Sequence, residues 1–287
     1  MIKKIIYLSV LVMTALSCED VIDVDLEKGK EKLVVDASIN WYRNFPANTM
    51  EIGANQKIRL TTTAGFYDGK AAAASDAIVT ITNDSTNEVF AFVEEGSTGE
   101  YKCSNFKPIV NNSYELNISY KGENFTAKET LIQTPIIDSI KQKRGGVFDK
   151  DEIVLNVHYK DDGNEDNFYY FDYITSISKN KELSISDDQF TNGNETFEII
   201  NYEGDDKIKV GDTFDIEFYE ISSQYYQFLD VLTYQIYTSG IFDPAPAEVK
   251  GNVINTTTPD NYAYGYFRVV IGNKAIVTLD KSKIIED

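Results

Sequence analysis

A chain of 287 residues with two cysteines and one histidine has few side chains for nucleophilic or metal chemistry. Cys18 is the one whose neighbours point to a reaction. It follows Ala15-Leu16-Ser17 and closes an apolar run, Ile5 to Leu16, that begins behind Lys3 and Lys4. Small side chains before a cysteine suit a signal peptidase, and a thiol is what accepts diacylglycerol. The pattern therefore predicts cleavage before Cys18, a diacylglycerol on its sulfur and a third acyl chain, such as palmitate, on its amine. Ala15 stands where such signals usually carry leucine, and the alternative is a plain secretory signal that ends near a cysteine. The run is too short to span a bilayer. With Cys18 lipidated, Cys103 is left without a partner, so no intrachain disulfide is expected.

His158 alternates with Val154, Asn156 and Lys160 on one strand face. A Ser-His-Asp or Cys-His hydrolase would rest on it alone, and neither a Gly-x-Ser-x-Gly elbow nor a phosphate or dinucleotide fingerprint accompanies it. Histidine-rich zinc sites are excluded by count. Carboxylates are the plentiful type. In Asp161-Asp162-Gly163-Asn164-Glu165-Asp166-Asn167, the residues Asp161, Asp162 and Asp166 are candidate calcium ligands,. The glycine is third rather than sixth, which is not an EF-hand, and a turn between strands explains the same residues better. Asp187-Asp188 and Asp205-Asp206 read the same way. A glycosidase built on two carboxylates remains a third reading, because such a pair need not be adjacent in sequence. The leading expectation is a protein without enzymatic activity and without a cofactor, calcium being the one candidate ion.

Tyrosine (19) and phenylalanine (16) are abundant. The runs Phe168-Tyr169-Tyr170-Phe171-Tyr173 and Tyr262-Tyr264-Tyr266-Phe267 could form a ligand platform, although alternation sends half of each inward. Tyr262 and Tyr264 are the candidate partner-contact residues, because their loop combines turn chemistry with aromatic rings. Without Lys3 and Lys4 the chain has 25 basic against 46 acidic residues, a net charge of −21. That field repels nucleic-acid phosphates and anionic headgroups, so a nucleic-acid partner is not expected.

Stepwise, these residues need strands to place them. Residues 1–17 read as the signal peptide and 18–31 as an acidic tether with Glu19, Asp20 and Asp23. Residues 32–133 show seven short alternating segments, which predicts an immunoglobulin- or transthyretin-like β-sandwich. Residues 134–287 restart after Thr134-Pro135 as a second β-rich, sandwich-like domain. It carries one helix over 222–237, capped by Ser222 or Ser223, with Tyr225, Phe228, Leu229, Leu232 and Ile236 on one stripe. The chain closes with strands at 263–271 and 274–279. The fold class expected is mainly β.

Several segments carry a resemblance in their order and spacing: Lys32 to Ile39, Gly99-Glu100-Tyr101, Tyr114 to Ile118, Pro135 to Ile140, Asp161-Asp162-Gly163 with Asn167 to Tyr170, Asp187 to Gly193, Gly211-Asp212-Thr213, Pro244-Ala245, Gly251 to Asn255 and Gly265-Tyr266-Phe267. Together they resemble a family of Bacteroidota outer-membrane lipoproteins catalogued as a domain of unknown function, of DUF4249 type. Thr256 to Tyr262 is an insertion relative to that pattern. The resemblance implies a β-rich lipoprotein commonly encoded beside a TonB-dependent receptor, and it implies no catalytic residues. Five acidic residues in the ten positions from Cys18 are similar to the patch that exports such lipoproteins to the outer face of the outer membrane; a charged linker with no sorting role is the alternative. The expected function is a non-catalytic accessory or ligand-capture subunit of a TonB-dependent transporter. The runner-up is a structural subunit of another outer-membrane assembly, for protein biogenesis or secretion, or a surface adhesin.

Overall fold

In the computed structural model, residues 29–51, 56–65, 69–145, 150–202, 204, 206–237 and 248–286 are described. The segment 1–28, with Cys18, Glu19, Asp20 and Asp23, lies outside them, as do Asp205 and Pro244-Ala245. Alternation writes the first strand: Leu33, Val35, Ala37, Ile39 and Trp41 are buried, and the residues between them turn to the opposite face,. This is β1 (Leu33–Asn44). Then come β2 (Thr49–Glu51), β3 (Gln56–Thr62), β4 (Ile78–Asn83), β5 (Val89–Glu94), β6 (Glu100–Cys103), β7 (Ser113–Tyr120), β8 (Glu123–Thr130) and β9 (Ile132–Gln133). The second half supplies β10 (Ile137–Arg144), β11 (Ile153–Lys160), β12 (Phe168–Thr175), β13 (Glu182–Asp187), β14 (Glu195–Ile200), β15 (Thr213–Ile221), the helix α1 (Ser223–Tyr237), β16 (Ile254–Asn255), β17 (Tyr264–Thr278) and β18 (Ile284–Ile285). The protein is mainly β with one helix, as expected.

One hydrogen-bonded path runs β13-β12-β15-β17-β1-β3-β6-β5-β4-β7-β8-β16. It folds over at β6 and β5, so that β1, β3 and β6 share a core with β4, β5, β7 and β8 around Trp41, Tyr101, Phe90 and Tyr114. Its other end, β13-β12-β15-β17, packs on a separate sheet, β14-β11-β10-β18, around Phe171, Phe214, Phe218 and Leu155. Two sandwich-like halves result.

The strand β17 belongs to both. Its first part pairs parallel with β1 from Val34↔Tyr264 to Asn44↔Lys274, and its second part pairs antiparallel with β15 from Phe218↔Asn273 to Thr213↔Thr278. Tyr266 to Asn273 are all buried, as a central strand covered on both faces should be,. The sequence reading broke this strand in two around Gly272-Asn273. Gly272 is instead a close-approach residue: a Cβ there would meet the Tyr219 ring at 2.6 Å and the Phe218 carbonyl at 2.8 Å,. A second difference follows. Val253, Ala263, Phe267, Val269 and Ile271, read as part of the domain after residue 134, complete the first core.

The join at Thr134-Pro135 is bonded from all sides. The Thr134 amide donates to the Ile271 carbonyl at 3.0 Å, and its own carbonyl accepts from the buried Arg43 guanidinium at 3.0 Å. Its hydroxyl accepts from the Glu220 amide at 2.8 Å, and the Pro135 carbonyl accepts from Asn273 Nδ2 at 2.7 Å. Two buried polar side chains find their acceptors here, and for Arg43 the acceptor comes from beyond its own half,.

Helix α1 starts one residue later than expected, with the Ser222 hydroxyl accepting from the Tyr225 amide at 3.3 Å as an N-cap,. Tyr225 and Leu229 are buried against Tyr170, Tyr219, Tyr266 and Val270, whereas Ile236, expected on the same stripe, is exposed. Among the described residues no helix is long and apolar enough to cross a membrane.

Candidate functional site

Cross-strand register assembles the site. On the outer face of the long sheet, the pairs Tyr170↔Tyr219 and Tyr42↔Gly272 fall in one row across β12, β15, β17 and β1. Tyr170 stacks on Tyr219 with ring centroids 5.5 Å apart, and Tyr219 leans over the bare Gly272 until its hydroxyl lies 2.9 Å from that of Tyr42. The next row is charged. Lys181 reaches Asp172 at 2.8 Å and Glu217 at 3.4 Å, and Lys274 reaches Glu217 at 3.6 Å and Asp215 at 3.3 Å. Burial alone would raise the Glu217 carboxyl. The Tyr219 hydroxyl and the two ammonium groups outweigh it and hold the carboxyl below its usual range.

On the other side of the tyrosine row lies Arg268, 7% exposed. Its guanidinium carbon stands 4.4 Å from the centre of the Tyr219 ring, 5.3 Å from Tyr225 and 5.5 Å from Tyr170. Nε donates to Ser38 Oγ at 3.3 Å, and Nη1 meets no acceptor among the described residues. Aromatic faces surround the charge, and the Glu129 carboxyl lies within electrostatic reach of it; cation–ring contacts gain strength when the cation is desolvated,. Helix α1 lids this end through Tyr225. Beneath the helix N-terminus, burial raises the carboxyls of Glu129 and Glu220 to about 7, against the opposing hydrogen bonds that Asn252 donates to the first at 3.2 Å and Asn167 to the second at 2.8 Å.

The rest of the face is open. Asp36, Ser38, Asn40 and Tyr42 of β1 line a groove of about 410 Å³ with Glu51, Gln56, Lys57 and Arg59. It exists because β3 pairs with β1 only over Leu33 to Asp36 and β2 only over Tyr42 to Asn44. Gln56 Nε2 spans the gap to the Asn40 carbonyl at 3.1 Å. Asn40 donates to the Tyr42 and Tyr219 hydroxyls, 3.4 Å each, while its Oδ1 is buried without a donor among the described residues. Hydroxyls, amides and charges of both signs on a rigid strand can recognise a polar ligand by hydrogen bonds and ring contacts.

The residues singled out from the sequence lie elsewhere. Asp161 is buried and accepts from the Tyr169 hydroxyl and, at 2.6 Å, from the Gly193 amide. Asp162 turns the other way, into an Asx turn with Asn164, and Asp166 is exposed. Those three do not converge as a calcium site, since the first is spent inside the fold; among the described residues no three His, Cys, Asp or Glu are grouped to hold a metal ion. Tyr262 and Tyr264 are half-buried and meet edge to face at 5.4 Å. Tyr262 bonds Glu248, and its ring takes Lys32 Nζ at 2.9 Å and Lys250 Nζ at 3.8 Å, so this pair is engaged within the chain. His158 is on β11, in the separate sheet, against Phe197 at 5.1 Å. Cys103 is buried and donates to Asn105 Oδ1 at 3.0 Å. Missed were Asn40, Tyr42, Tyr219 and Arg268. A lone arginine inside the apolar run Tyr266 to Ile271 was the signal available for the last.

Residues 19–271 match a family model described as "Domain of unknown function (DUF4249)". No curated protein matches the sequence. Among solved structures the chain is similar to a two fibronectin type-III domain segment from chicken tenascin, at 10% identity over 58% of this chain and 85% of that one, TM-score 0.22. It is also similar to the FN1–FN3 domains of chicken CNTN1, at 11% identity over 58% and 56%, TM-score 0.21. A DUF4785 family protein from Legionella pneumophila matches at 7% identity over 66% and 52%, TM-score 0.25.

Proposed function

The chain belongs to the DUF4249 family, and on that premise we propose that it is a lipid-anchored protein of a Bacteroidota outer membrane that acts by contact, as an accessory or ligand-capture subunit of a TonB-dependent transporter. The anchor is Cys18, and the acidic residues Glu19, Asp20 and Asp23 direct the protein to the outer face. The observation that carries the reading is the groove along β1, about 410 Å³, whose hydroxyl, amide and charged side chains are fixed by the sheet and continue into the tyrosine row. Such a face suits recognition of a polar ligand or partner.

Detergent extraction of the full lipoprotein from its own outer membrane tests this. A TonB-dependent barrel should co-purify, and Cys18→Ala should release the chain from the membrane fraction. Replacing Glu19, Asp20 and Asp23 with alanine should leave lipidation intact and reduce exposure to external protease. Recovery of no barrel, with the chain still membrane-bound, would remove the transporter role and favour the stand-alone adhesin. Membrane association of the Cys18→Ala chain that resists carbonate would remove the lipid anchor.

A further inference from the structure

Two loops that look unrelated in sequence, residues 161–167 and 187–194, form one tip of the second sandwich. They meet at two glycines: a Cβ on Gly193 (φ +75°) would stand 3.2 Å from Cα of Gly163, and one on Gly163 would stand 2.9 Å from Cα of Gly193. The Asp161 carboxylate staples them by accepting from the Gly193 amide at 2.6 Å. The second loop also closes on itself. The Thr191 and Asn192 amides both donate to the Asp188 carbonyl at 2.8 Å, the Asn194 amide donates to the Thr191 carbonyl at 2.9 Å, and the Asp161 amide donates to the Asn194 carbonyl at 3.1 Å.

On this held turn Phe190 is 90% exposed, more than any other large apolar side chain among the described residues. Scattered exposed apolar residues are ordinary. Two features set this one apart. Its backbone is fixed by the bonds above, so contact there orders little that is not already ordered. The two loops are also of one sign: Asp162, Glu165, Asp166 and Asp187 are exposed on them, and neither loop contains lysine or arginine, Lys160 lying just before the first.

We propose that Phe190 is a docking knob that seats in an apolar pocket rimmed by lysine or arginine on a partner protein. The inference rests on the reading that this chain acts by contact, but not on the partner's being a transporter barrel. The ring supplies the buried anchor and the four carboxylates supply steering and register, which makes association salt-sensitive. The same carboxylates repel an anionic lipid surface, so a bilayer is the poorer occupant.

The test is photo-crosslinking in cells that produce the full-length chain, with a photoreactive phenylalanine derivative at position 190. A control carries it at Ile78, 70% exposed on β4. Position 190 should give a discrete protein adduct that position 78 does not, and the crosslinked peptide should hold apolar residues flanked by lysine or arginine. Yield should fall about tenfold when Asp162, Glu165 and Asp166 become amides, as expected for charge-steered contact. Phe190→Ser should leave the melting temperature unchanged, which separates lost docking from lost fold. Adducts to lipid alone, no protein adduct, adducts shared with position 78, or yields indifferent to the charge changes would each overturn the knob. If the adduct has the predicted chemistry and is not a barrel, the knob stands and the transporter reading falls. If a barrel co-purifies equally with Phe190→Asp and position 190 gives no protein adduct, the transporter reading stands and the knob falls.

Discussion

Acidification from pH 8 to pH 5.5 should stabilise this protein, and two buried glutamates set most of it, with Glu198, which burial also raises, adding in the same direction. Burial raises Glu129 and Glu220 from 4.5 to about 7. Between those values the folded chain keeps two protons that the unfolded chain has released. The native state therefore binds more protons, and stability falls as pH rises through the window. Each carboxyl loses about 3 kcal/mol of folding free energy at pH 8 relative to strong acid, and about 1.4 kcal/mol at pH 5.5, from the linkage relation at 1.36 kcal/mol per unit. The gain between the two pH values is thus about 2 kcal/mol each, or about 4 kcal/mol if the two sites titrate independently. His158, which burial lowers, opposes part of this on the acid side, and Glu217, held low, does so only below the usual carboxylate range. The assay is urea unfolding followed by the emission of Trp41, the single tryptophan, fully buried and stacked on Phe106 at 5.1 Å. General charge relief in an acidic protein acts in the same direction, so Glu129→Gln with Glu220→Gln is the decisive control. The double variant should lose most of the pH slope and gain stability at pH 8. A slope equal to that of the parent chain would refute the assignment.

Three further outcomes are expected. Gly272→Ala should destabilise by about 1–3 kcal/mol in the same urea assay, because the new methyl meets the Phe218 carbonyl and the Tyr219 ring,. A chain ending at Gln133 should show no cooperative unfolding and a water-like Trp41 emission, since Val269 and Ile271 are missing from its core,. Calcium titration should leave the melting temperature unchanged, because Asp161 is committed to Gly193 and Tyr169; a saturable rise abolished by Asp162→Ala would contradict this,.

The locally patterned elements were legible. Ser113 to Tyr120 alternates and is β7, and Ser222 with a 3.6-residue apolar stripe is the capped start of α1. Less was visible where pattern and partner are decoupled. The strand β13 (Glu182 to Asp187) was not read because Glu182, Asp187 and two serines leave it a weak strand pattern,. Nor was β14 (Glu195 to Ile200), because it is short and its apolar residues fall on both faces, with Phe197 and Ile199 exposed and Ile200 buried. Trp41-Tyr42 lies beyond the point where the first strand was read to end, so the tyrosine row went unseen. The pairing of β1 with β17 joins residues more than two hundred positions apart, which no local period encodes,. The candidate groove depends on that pairing, and so it could not be anticipated.

The shared strand β17 also bears on how such a chain can change over generations. Sandwich modules commonly spread by duplication and exchange at the linkers between them. Here a break at Thr134 would leave one product without Phe267, Val269 and Ile271, and would strand Arg43 without the carbonyl that takes its guanidinium. Recombination at the midpoint therefore yields two incomplete pieces rather than two reusable ones. The heritable unit is the pair, which fits a single family model running without interruption from residue 19 to residue 271.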